Sequence, residues 1–177
     1  MQPNLIAGLD IGSTKTCAVI AELAADAKGS PVVKILGVGQ TKTGGIRREV
    51  VTDIEGTTAS VRHAMKEAEL MAGVSVDRVF TGVAGEHIHA RTSNGVVAVQ
   101  GEEIFAADVR RVHEVARAVV VPADREVLHV IPQEYIVDHQ SGIRDPVGMA
   151  GTRLEADVYI ITSSLTATQN LSKAVGR

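Results

Sequence analysis

The run Gly8-Leu9-Asp10-Ile11-Gly12-Ser13-Thr14-Lys15-Thr16 constrains this chain more than any other stretch. Apolar residues from Leu5 lead to a carboxylate at Asp10, a small polar turn follows over Gly12-Ser13-Thr14-Lys15, and an apolar pattern resumes from Thr16 to Leu23. Two extended segments joined by so short a turn predict a β-hairpin at the start of the fold. An isolated aspartate closing a buried strand, with a lysine in the turn beside it, gains little from packing. It has a use if the turn grips phosphate. Gly12 tolerates φ > 0 and removes the side chain that would block phosphate oxygens. The amides of Ser13, Thr14 and Lys15 then form a nest of donors, and Lys15 adds a point charge on the terminal phosphates. Asp10 can face phosphate only across a cation, so its expected role is to hold Mg²⁺ through water. Thr16 completes the candidate cofactor-binding set. The pattern is not a Walker loop, which needs Gly-x-x-x-x-Gly-Lys before a helix. A plain hairpin turn is the competing reading, since Gly, Ser and Asp populate turns everywhere.

Further along, Ala24 to Pro31 reads as a loop and Val32 to Thr41 as a third strand, broken at Gly44-Gly45. Thr52-Asp53-Ile54-Glu55 matches a capping box, and Val61, Met65, Ala68 and Ala72 repeat at helical spacing. A helix is therefore expected from Ile54 to Ala72, followed by a short strand within Asp77 to Val83. From about Glu86 the pattern changes. His87 to Ser93 and Val96 to Gln100 alternate around Asn94-Gly95, which predicts a second hairpin and a new sheet. Val109, Val112, Ala116 and Val119 give one apolar helical face, with Asp108, Arg111 and Glu114 on the other side. Glu126 to Asp138 reads as a strand that Pro132 forces to an edge or into a bulge. Gly142 to Gly151 reads as a loop, Leu154 to Thr162 as a strand and Ser164 to Val175 as a helix. That helix runs straight to Arg177, so the chain reads as cut there.

Composition narrows the function classes. With 45% hydrophobic and 22% charged residues the chain has the makings of a globular core, and 2% aromatic leaves that core to Val, Ile, Leu and Ala. Eighteen basic against twenty-one acidic side chains give a net charge of -3, no footprint for nucleic acid. Cys17 is the single cysteine, which excludes an internal disulfide and suits a cytoplasmic setting. It reads as a small core filler rather than a nucleophile. Met1-Gln2-Pro3-Asn4 lacks a basic leader, so no signal peptide or membrane-spanning helix is expected here. His87 and His89 share a spacing compatible with metal, but no further ligands complete a site. Asp53 and Glu55 suit a helix start better than acid–base work.

Gly8 to Ala18 resembles the first phosphate hairpin shared by actin, the heat-shock chaperone ATPases, sugar kinases and the FtsA family of bacterial cell-division proteins. The discriminating matches lie later: Met71-Ala72-Gly73-Val74, Gly82-Val83-Ala84-Gly85-Glu86-His87-Ile88, and above all His129-Val130-Ile131-Pro132-Gln133-Glu134-Tyr135. Gly142 to Met149, Arg153-Leu154-Glu155 and Thr166 to Leu171 follow in register. Together these resemble the FtsA family along nearly all of the chain.

The resemblance implies an α/β fold, an actin-like (ribonuclease H-like) subdomain over 1–84 and 163–177, interrupted by a small strand-helix-strand-strand α+β domain over 85–162. It implies ATP and Mg²⁺ as ligands of the whole protein, at most weak ATPase activity, and weak or no binding by this portion. The second phosphate hairpin, the adenosine-binding Gly loop, the groove for FtsZ and a C-terminal membrane helix are all expected outside the chain. It also implies a self-assembling scaffold on the cytoplasmic face of the cell membrane at the division site, joining FtsZ to later division proteins. The inserted domain would supply surface to other FtsA subunits and to those later proteins. Ile88, Ala90, Val97 and Val99, on an expected exposed edge from Ile88 to Val99, are the candidate contact residues. The alternatives are a sugar or small-molecule kinase of the same superfamily, which needs a catalytic Asp on the acceptor hydroxyl, and a pilus-assembly actin homologue.

Overall fold

The computed structural model describes residues 5–26 and 28–176. The readings made for Met1-Gln2-Pro3-Asn4, for Ala27 within its loop and for Arg177 lie outside the described residues. The chain divides into two compact units, unit 1 comprising Met1–His87 with Thr166–Arg177 and unit 2 comprising Ile88–Leu165.

Unit 1 opens on three antiparallel strands, β1 Leu5–Ile11, β2 Lys15–Ala25 and β3 Pro31–Lys42. The strands run further than the sequence pattern indicates, and the expected loop shrinks to 26–30. Asp26 accepts the amides of Lys28 and Ser30, which tightens that turn without needing apolar residues. A miniature hairpin follows, β4 Ile46–Arg47 and β5 Val50–Val51, with Arg48 and Glu49 at φ 47 and 64. No sequence signal announced it, since Arg-Glu is a rare pair for two left-handed turn positions.

Helix α1 spans Ile54–Ala72, as its periodicity predicts. Its cap corrects the capping-box reading: Asp53, not Thr52, is the cap residue, accepting the amide of Glu55 at 3.0 Å. The Thr52 hydroxyl instead donates to Gly45 O. Gly73, at φ 70, ends the helix in a left-handed cap. Strand β6, Phe80–Thr81, then lies parallel to β1, giving the sheet order β3-β2-β1-β6. Alternation puts Ala7, Leu9, Ala18 and Ile20 on the face covered by Val61, Ala64 and Ala68 of α1.

In unit 2, β7 is one strand over His89–Ala98, which overturns the predicted hairpin. Asn94 and Gly95 lie mid-strand, both paired with β10, Arg153–Ser164. The physical reason is packing: a Cβ on Gly95 would collide with Val112 O and stand 2.6 Å from Ala116 N. Glycine is there to admit helix α2, Ala106–Arg117, rather than to turn the chain. The Asn94 amide meanwhile donates to Asp157 across the ladder.

Strand β8, Arg125–Val137, carries the irregularity Pro132 required: Pro132 pairs with Val158 and Glu134 with Asp157, leaving Gln133 over. Strand β9, Gln140–Ile143, falls partly inside the expected 142–151 loop and completes the order β7-β10-β8-β9. Asp138 and His139, at φ 45 and 73, make the turn between them. The core gathers Ile104, Val112, Ala116, Leu154, Val158 and Ile160. Asp108 departs from its expected outer face; it is 3% exposed and accepts the amide of Phe105, closing the start of α2. That hydrogen bond, with Arg111 beside it, holds its carboxyl below the usual range against the cost of burial.

Helix α3, Leu165–Val175, supplies Ala174, whose carbonyl accepts the buried Thr58 hydroxyl of α1 at 3.1 Å. No helix among the described residues is long and apolar enough to cross a membrane.

Candidate functional site

The β1–β2 turn stands at the edge of unit 1 with Asp10, Ser13, Thr14 and Lys15 all exposed. Its backbone is pinned from within: Gly12 donates to Lys15 O at 3.0 Å, and Thr43 donates to Thr14 O at 3.0 Å. Gly12 does not adopt positive φ, contrary to the conformational part of the expectation. A Cβ there would stand 3.3 Å from Lys15 O, so the demand on residue 12 is small size at a tight turn. Thr16 is fully buried, its hydroxyl 2.8 Å from that of Thr43. It therefore ties the hairpin to the loop after β3 from beneath, while Asp10, Ser13, Thr14 and Lys15 line the outer surface and Gly12 is half-buried.

Asp10 borders two hollows within unit 1. One, of about 400 Å³, is lined by Gly8, Lys15, Cys17, Val19 and Phe80. The other, of about 120 Å³, places Asp10 with Glu49, His87 and Gly82 to Ala84. Glu49 is the participant that sequence reasoning missed. Its backbone amide donates to Ser13 Oγ at 3.2 Å, so the β4–β5 hairpin props the turn. Among the described residues no cluster of three His, Cys, Asp or Glu side chains forms a metal cage. A carboxylate, a lysine and hydroxyls exposed at a glycine turn fit a metal bridged by phosphate, because Mg²⁺ takes few protein ligands and keeps water.

Rigidity behind the turn comes from α1. Gly45, at φ 75, could carry no Cβ without striking Asp53 O. Gly45 O accepts from Thr52 N and Asp53 N, and Gly44 exchanges hydrogen bonds with Ser60 and Thr57. The buried hydroxyls of Thr57 and Ser60 on α1 thus hold the segment that carries Thr43, while that of Thr58 goes to α3.

The proposed contact residues of unit 2 separate. β7 is an edge strand, and Ala90 on it is exposed. Ile88 is half-buried before the strand starts, and Val97 and Val99 pack against the core. The outward face of β7 is carried by Thr92, Asn94 and Val96. His87 lies in the turn before β7, so it does not share a strand face with His89. His113 and Tyr135 form the one stacked pair of rings described, 5.7 Å apart, with His113 Nε2 2.8 Å from the Tyr135 hydroxyl. Burial lowers the His113 pKa; burial first, then Asp145, raises that of Tyr135.

Residues 85–162 match the family model described as the SHS2 domain inserted in FTSA. The cell division protein FtsA of Pseudomonas aeruginosa is 42% identical over 98% of this chain, and that of Neisseria meningitidis 42% identical over 99%. Nearly the whole chain is thus similar to FtsA proteins, and its residues 85–162 to the domain inserted in them. It spans 41% and 42% of the length of those two FtsA relatives. The Escherichia coli FtsA is 38% identical over 98% of the chain and 40% of its own length. Among solved structures, a chain of the PilM-PilN type IV pilus biogenesis complex superposes with a TM-score of 0.56 over 97% of this chain and 44% of that one, at 14% identity. At that identity the likeness speaks for the fold and leaves the FtsA assignment to the sequence relatives.

Proposed function

We propose that this chain is the portion of an FtsA-type cell-division scaffold that supplies one wall of an ATP site and one assembly surface. Unit 1 is the actin-like, ribonuclease H-like subdomain in this reading. Asp10 holds Mg²⁺ through water, Gly12, Ser13, Thr14 and Lys15 meet the phosphates, and Thr16 fixes the hairpin they stand on. Bound Mg-ATP would supply a ligand that orders this wall against the remainder of the protein. No hydrolytic step is assigned to these residues. Unit 2 offers its β7 edge to other FtsA subunits and to later division proteins. FtsZ and the cytoplasmic face of the membrane are reached through regions outside the chain.

The observation that carries the reading is the exposed hairpin set within a chain 42% identical to curated FtsA proteins over nearly its whole length. A kinase reading needs an aspartate poised on an acceptor hydroxyl, and the aspartate at this turn, Asp10, is assigned to Mg²⁺ in the scaffold reading. The test is calorimetric titration of Mg-ATP into the full-length protein and into this chain. The full-length protein is expected to bind and its Lys15→Ala and Asp10→Ala forms to lose affinity by at least tenfold, consistent with loss of a charge-assisted contact. This chain alone is expected to bind weakly or not at all. Full-length variants that bind as tightly as the parent would sink the assignment of the hairpin.

A further inference from the structure

β3 forms one margin of the unit 1 sheet, with β2 its single neighbour there. A marginal strand of 12 residues presents outward amides and carbonyls on which a strand of another molecule can add. Helix α1 answers part of that row. Gln40 donates its backbone N–H to Glu67 Oε2 at 3.0 Å, and Val38 donates to Met71 Sδ at 3.3 Å. Glu67 and Met71 are four residues apart and share a helix face. Val38 and Gln40 are two apart in an extended strand, so their amides point the same way.

The reach depends on two glycines in β3. A Cβ on Gly39 would collide with Ala64 O and stand 2.7 Å from Ala68 N; one on Gly37 would collide with Ala68 O and stand 2.8 Å from Ala72 N. With both absent, α1 settles directly over the margin and two of its side chains hang beyond it. Met71 stays 66% exposed there, so burial gives little reason for its position. His63 Nε2 lies 3.6 Å from Glu67 Oε1, one helical turn earlier.

We propose that Glu67 and Met71 are edge guards: by occupying the amides of Gln40 and Val38 they close this margin of unit 1 to strand addition by a second copy of the chain. The rest of β3 uses other devices to the same end. Pro31 begins it without an N–H, and Lys34 and Lys42 set charge along it.

The test uses the whole chain as parent, Glu67→Ala, Glu67→Gln and Glu67→Ala/Met71→Ala. Residue-resolved amide exchange is expected to show Gln40 and Val38 protected in the parent, and Gln40 about fivefold faster in Glu67→Ala, as befits one lost hydrogen bond. Glu67→Gln keeps an acceptor and is expected to match the parent. In sedimentation velocity the double variant is expected to associate with rising concentration beyond the parent. An open, unprotected Gln40 amide in the parent overturns the proposal, and so does a double variant that associates no more than the parent. The single Glu67→Ala exchange measurement decides the question alone if the double variant does not fold.

Discussion

Both units solve the same problem, seating a helix on a sheet, and both do it by placing glycine in an edge strand where the helix crosses. In unit 1 Gly37 and Gly39 lie under Ala64, Ala68 and Ala72; in unit 2 Gly95 alone lies under Val112 and Ala116. Each glycine would place its Cβ against a helix carbonyl and the amide four residues on. The difference is in what fills the rest of the interface. Unit 2 surrounds its single close approach with Ile104, Leu154, Val158 and Ile160, whereas unit 1 makes two close approaches along Ala64, Ala68 and Ala72, with Leu9, Ile20 and Val61 in the core beside them. Small-residue contact is short-range and unforgiving, while branched side chains have rotamers with which to yield.

The comparison breaks first at Gly39. Gly39→Ala is expected to destabilise unit 1 by more than about 3 kcal/mol, because backbone must move to admit the methyl. Denaturant unfolding followed by amide exchange at β2 and β3 measures it. Gly95→Ala makes the same change against a more adaptable wall, so a loss of about 2 kcal/mol is expected at β7 and β10. Equal losses would show that the filling around the glycine is irrelevant.

Smaller changes sharpen the contrast. Asp53→Ala removes the cap of α1 and is expected to cost about 1 kcal/mol, readable as a lowered melting temperature; the corresponding end of α2 is closed by Asp108 from inside the helix. The smallest effect concerns pH. Burial favours neutral His113 in the fold, so its share of unit 2 stability is full above about 6.5 and is lost as pH falls below that value. A shallow drop in melting temperature between pH 7 and pH 5 is expected for unit 2, and His113→Gln should flatten it.

Most of the scaffold was legible because long periodic segments carry redundant signal. Helix α1 and the strands β1, β2, β3 and β10 follow their hydrophobic alternation to within a few residues. The failures have particular causes. Asn94-Gly95 has the chemistry of a turn, yet Gly95 is small because a helix from another part of unit 2 lies on it, a fact local sequence cannot express. Asp108 looks like a surface residue by helical phase and is buried because it caps its own helix. At the candidate site the turn residues were readable from Asp10, Gly12 and Lys15. Glu49 and its hairpin were not, because Arg48 and Glu49 hold left-handed conformations for which their side chains give no cue.

The first and last strands of unit 2 are neighbours in register, with His89 opposite Thr162. Its two ends consequently emerge side by side, about 5 Å apart as paired strands are. A module hung from such a stalk can be excised, exchanged with a relative's or fused elsewhere by suturing one short gap, which makes it a natural cassette for protein engineering and for evolution alike.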